Sequence, residues 1–110
     1  MQRNQKICKI IEELSLYLMD CGIYDLNIDI KQDDERDVLT FSFNETNDEV
    51  KDFILSKIKG ERDIEIEEYG WELMGEGASD DDLGIINALV DEIDYNDSDN
   101  KTVIRMIRYE

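Results

Sequence analysis

The side chains most able to do chemistry in this sequence are carboxylates. Asp94-Tyr95-Asn96-Asp97-Ser98-Asp99-Asn100 has the look of a calcium loop, but no starting residue supplies the sixth-position glycine and twelfth-position glutamate of an EF-hand. Paired carboxylates can also act as acid and base in glycoside hydrolysis, yet such pairs must flank a pocket, and a chain this short leaves little room for one. A solvated acidic face is the simpler reading. Trp71, between Gly70 and Glu72, offers a ring for a ligand or partner, although packing of a satellite cluster against a sheet explains it as well. Asp80, Asp81 and Asp82 join Trp71 as candidate partner-binding residues, and the same aspartates serve equally as the acidic first turn of a helix capped by Ser79. Gly75-Glu76-Gly77 is short of a phosphate loop, because no Lys-Ser/Thr follows it.

Composition removes most alternatives. There is no histidine, so the commonest general base, the Ser-His and Cys-His pairs and histidine-based zinc sites are all missing. Twelve Lys and Arg stand against 29 Asp and Glu, a net charge of −17, which opposes binding to nucleic acid or anionic lipid and points to a protein partner, most naturally a basic one. No metal ion is expected. No apolar run reaches membrane-spanning length, and the start, MQRNQKICKIIEELSLYLMDC, lacks the small-residue cleavage site of a secretory signal, so the expected compartment is cytoplasmic. Cys8 and Cys21 lie on one predicted helix, which places their α-carbons roughly 20 Å apart, too far for a disulfide. Two reduced, buried thiols are the expectation.

The elements that would position these residues follow from apolar spacing. Ile7, Ile10, Ile11, Leu14, Leu18 and Cys21 predict a helix over about 5–21, with Asn4 as cap and Gly22 past its end. Tyr24, Leu26, Ile28 and Ile30, then Leu39, Phe41 and Phe43, alternate on either side of a polar turn and predict a hairpin with one buried face. Thr46 and Glu49 fit a capping box for a helix over about 47–59. Residues 61–74 suit a short strand or irregular segment. A third helix carries Leu83, Ile86, Leu89, Val90 and Ile93, a turn occupies Asn96–Asn100, and Thr102–Tyr109 has the two-sided apolar character of a central strand. The 110 residues make one α+β domain, a two-layer sandwich with three helices on one face of a small mixed sheet. Its charge is uneven: residues 61–100 contain one basic and 15 acidic side chains.

Asp82-Leu83-Gly84-Ile85-Ile86-Asn87-Ala88-Leu89-Val90-Asp91-Glu92-Ile93-Asp94-Tyr95, followed by Lys101-Thr102-Val103-Ile104-Arg105-Met106, resembles the C-terminal part of the GHKL (histidine kinase-like) ATPase fold. It is most similar to bacterial anti-sigma factor serine kinases, in which a Gly-Leu-Gly-Leu turn opens such a helix and a Gly-Thr precedes the last strand. Gly84 and Thr102 match. The resemblance implies a nucleotide pocket whose remnant would comprise Glu13, Tyr17, Gly75, Gly77, Gly84 and Thr102.

The departures fall on that pocket's chemistry. The family's Glu-x-x-x-Asn, whose asparagine holds magnesium, corresponds here to Glu13 followed by Tyr17. Its glycine-containing adenine box would fall at Asn44-Glu45-Thr46-Asn47-Asp48, without a glycine, and Asp82 puts negative charge where phosphate would lie. The expectation is a non-catalytic, small regulatory or protein-binding domain with no catalytic residue and no cofactor. One alternative is an ATP- and magnesium-binding GHKL-type kinase or anti-sigma factor. Another is an acidic inhibitor of a basic nucleic-acid-binding protein.

Overall fold

A computed structural model describes residues 2–60, 62–64 and 82–110, with the side chains of 82 and 83 excepted. The order is α1 (Arg3–Asp20), β1 (Leu26–Gln32), β2 (Arg36–Phe43), α2 (Asp48–Lys57), α3 (Asp82–Leu89), β3 (Glu92–Ser98) and β4 (Lys101–Tyr109). The strands form one sheet in the order β1-β2-β4-β3, with every pair antiparallel. The sequence had suggested a mixed sheet; among the described residues the sheet is wholly antiparallel. Among the described residues, three helices and this four-stranded sheet make a small α+β fold.

Helix α1 forms because eighteen residues without glycine or proline place Ile7, Ile10, Leu14 and Leu18 on one buried stripe. It begins two residues earlier than the spacing suggested: Gln2, not Asn4, is the cap, and the Gln2 N–H donates to Gln5 Oε1 at 2.9 Å in a capping box. At the other end Gly22 takes φ +89, and the N–H groups of Gly22 and Ile23 return to the carbonyls of Met19 and Leu18, each at 3.0 Å. This closure stops the helix and buries Ile23 beside Leu18. For α2 the cap is Asn47, whose Oδ1 accepts from the Val50 N–H at 3.0 Å, rather than the Thr46–Glu49 box.

Alternation sorts the sheet into two faces. Leu39, Phe41 and Phe43 of β2 and Ile104 and Met106 of β4 point at the helices and meet Ile10, Leu14, Leu18, Ile54, Ile86 and Leu89 in one core. On the opposite face Val38, Thr40, Ser42 and Val103 are half-buried beneath exposed Lys31, Arg36, Arg105 and Asp94. The two central strands are β2 and β4, in keeping with the two-sided apolar pattern of β4.

The C-terminal boundary differs from the sequence reading. Helix α3 ends at Leu89, and Ile93 belongs to β3, which also takes in Asn96, Asp97 and Ser98. The chain leaves the helix because the Asp91 N–H donates to the Ile107 carbonyl at 2.9 Å, which starts the β3–β4 ladder. Ser98 pairs with Lys101 across a two-residue turn, with Asp99 at φ 52 and Asn100 at φ 59. Both residues in the left-handed region define the turn type that suits a tight hairpin's twist. The predicted strand or irregular segment at 61–74 falls almost wholly outside the described residues.

Candidate functional site

The residues singled out by the resemblance converge only in part. Tyr17, on the third turn of α1 after Ile7, is carried to the flank of the core, where its ring lies on Phe53 of α2 with centroids 4.9 Å apart and planes inclined by 23°. This is a stacked aromatic contact within the favourable range. Burial raises the Tyr17 phenol above its ordinary range, and a hydrogen bond with Cys21 and the nearby Glu49 carboxylate act in the same direction. One turn earlier, Glu13 accepts an ion pair from Lys9 at 2.7 Å within the helix.

On the sheet side, Thr102 is fully buried in β4 and its hydroxyl donates to the Glu45 carbonyl at 2.7 Å. That bond ties the connection between β2 and α2 to the start of β4. Tyr95, inward on β3, stands beside it; burial raises its pKa, the Thr102 hydroxyl opposes the shift, and Asp97, Asp48 and Asp52 reinforce it. Lys51 of α2 reaches Asp97 at 3.6 Å, which anchors the helix over the same edge. Gly84 is exposed within α3. Asp82 opens α3, while Gly75, Gly77, Trp71, Asp80 and Asp81 lie outside the described residues.

The Tyr95 hydroxyl is buried without a hydrogen-bond partner, while Tyr17 and Thr102 are engaged with their neighbours. Where the resemblance would place the magnesium-holding amide, an aromatic ring is packed against another ring. Where it would leave a threonine hydroxyl for a ligand, that hydroxyl is committed to a backbone carbonyl. Tyr17 supplies no amide oxygen to a magnesium ion, and the proton of the Thr102 hydroxyl is already taken up. Among the described residues no group of three carboxylates or thiols could hold a metal ion. Cys8 and Cys21 are free thiols, and the expectation of burial fails for both, since Cys8 is exposed and Cys21 half-buried.

A second polar centre escaped the sequence reading. Asp37, on the inward register of β2, is fully buried and accepts from Arg3 Nε at 3.0 Å, Arg3 Nη2 at 2.6 Å and Gln32 Nε2 at 3.0 Å. Arg108, inward on β4, lies 4.0 Å from the same carboxylate and 3.5 Å from Glu110, and its Nη1 donates to the Leu89 carbonyl at 2.7 Å. Burial pushes the Asp37 carboxyl up, but the hydrogen bonds from Arg3, Glu110 and Gln32 together hold it below its ordinary value. Glu110 moves the opposite way, raised by burial and by its bond to Asp37. The signal was present: Asp37 and Arg108 interrupt two alternating apolar registers whose other members are buried. The cluster joins α1, β2, α3 and β4 and has the character of a structural clamp.

No known family model matches this chain, and no curated protein or solved structure matches it. Among the described residues no helix is long and apolar enough to cross a membrane.

Proposed function

We propose that this chain is a non-catalytic, protein-binding domain on a frame resembling the anti-sigma factor serine kinases, with side chains occupying the place of the nucleotide. The observation that carries the reading is the Tyr17–Phe53 stack, at the position where magnesium would need an amide. The Thr102–Glu45 bond, the glycine-free Asn44–Asp48 segment and Asp82 at the start of α3 support it. So does the order helix, hairpin, helices, hairpin. Histidine is absent from the sequence, and the Asp37–Glu110 carboxyl pair is engaged by Arg3 and Arg108, which favours a binding role for the surface. The partner we infer is basic, because the net charge of −17 includes Glu92 and Asp94 on the exposed register of one sheet edge.

Isothermal titration with ATP and magnesium tests the reading. No heat of binding is expected at ligand concentrations up to about 1 mM, whereas a dissociation constant near 1 µM, about −8 kcal/mol, would overturn it in favour of a nucleotide-binding kinase-like protein. Capture experiments test the partner: a basic protein whose retention falls as salt rises is expected, and retention indifferent to salt would contradict the charge argument.

A further inference from the structure

The two edges of the sheet differ in a way that selects an occupant for one of them. At one side, β3 presents Glu92 and Asp94 on its exposed register with no cation in the strand, Arg105 of β4 pairing with Asp94 and Lys51 of α2 with the half-buried Asp97. A second copy of the same edge therefore brings like charges close. At the other side, β1 carries one Asp29 and one Lys31, and every residue from Asn27 to Gln32 is exposed. Ile28 and Ile30 lie on the helix-facing register, opposite Phe41 and Leu39, which are fully buried, yet they remain 39% and 47% exposed. Among the described residues no strand pairs with the outer side of β1, and a net-neutral, apolar-flanked strand edge of this kind is a template for another strand.

We propose that β1 is a homodimerisation edge, with two copies of this chain pairing β1 to β1 antiparallel about a two-fold axis at Ile30. In an antiparallel pair, directly opposed residues share a face, so the axis must pass through a single residue. Centred on Asp29, the pair sets Asp29 against Asp29. Centred on Ile28, it leaves Asp29 opposite Asn27. Centred on Ile30, it sets Asp29 against Lys31 twice on one face and Ile30 against Ile30 on the other, so both charges in the strand are matched. The result is a continuous eight-stranded sheet that leaves the acidic β3 edges at its two ends. The inference is independent of the nucleotide question.

Sedimentation equilibrium of the full chain from about 1 µM to about 1 mM reads the outcome, in about 0.15 M salt so that the repulsion between two acidic molecules is screened beyond about 8 Å. A reversible dimer of the 12.9 kDa chain is expected. Asp29→Lys or Lys31→Asp each turns two attractive cross-strand pairs into two repulsive ones and should weaken dimerisation about 30-fold. The double reversal, Asp29→Lys with Lys31→Asp, should restore it to within about 3-fold, because it exchanges the pair without changing its sign. Ile30→Lys, at the axis, should leave a monomer. All of these positions are exposed, and circular dichroism melts check that each variant folds. A monomer throughout the range, a dimer indifferent to single charge reversal, or a double reversal that fails to restore pairing would each overturn the proposal.

Discussion

Truncating Tyr17 to alanine removes the ring that occupies the candidate site. Aromatic side chains bury 150–250 Å², and half-burial of Tyr17 puts the area removed from water at about 100 Å², or about 2.5 kcal/mol. The stack on Phe53 adds about 1 kcal/mol beyond area. Partial collapse of α2 toward α1 recovers some of this, so the expected loss is about 3 kcal/mol, a large part of the 5–15 kcal/mol that stabilises a domain of this size. Urea unfolding followed by circular dichroism measures it. Tyr17→Phe keeps the stack and loses only the hydroxyl, so it should cost no more than about 1 kcal/mol. Because the folded-state pKa of Tyr17 is raised above its unfolded value of 10.0, its contribution is complete below pH 10 and declines above it, and Tyr17→Phe should flatten that alkaline limb. A loss under about 1 kcal/mol for Tyr17→Ala would refute the reasoning.

Asp37→Asn should cost about 3–5 kcal/mol at pH 7, since it leaves the buried Arg108 beside a neutral group and weakens two Arg3 bonds. The folded pKa of Asp37 is depressed, so its contribution is present above the unfolded value of 3.8 and is lost as pH falls through the lower folded value; acid titration of stability should therefore be shallower in the variant. An unchanged acid limb would contradict the clamp. Gly60→Ala should cost about 2–4 kcal/mol, because φ is +68 and the added Cβ would come within 2.5 Å of the Asp91 carbonyl oxygen at the α3–β3 junction. A thermal midpoint within about 3 °C of the parent would show that the junction yields.

Much of the fold was legible because burial repeats with the period of the backbone. The stripe of α1, its stop at Gly22 and the alternating inner face of β2 need only local spacing. The end of α3 was not legible, since Leu89, Val90 and Ile93 continue a helical stripe while Ile93, Tyr95 and Asp97 also alternate. The Asp91–Ile107 hydrogen bond decides between these periods, and it joins residues 16 apart in sequence. Strand order is equally silent in periodicity, which is why Ile28 and Ile30 read as core but lie at an edge. For the site, Tyr17 and Phe53 could each be assigned to a buried flank, but nothing local brings their helices together. Asp37 and Arg108 were visible as polar interruptions of apolar registers, and only the paired strands reveal that the two interruptions meet.

We propose that packed side chains stand where a nucleotide would bind. Amide shifts in a ¹⁵N-labelled sample titrated with ATP and magnesium test it most directly, because they report at the residues concerned. With ligand raised to about 1 mM, the amides of Tyr17, Phe53, Gly84 and Thr102 should remain in place. Saturable shifts at those residues would contradict the account.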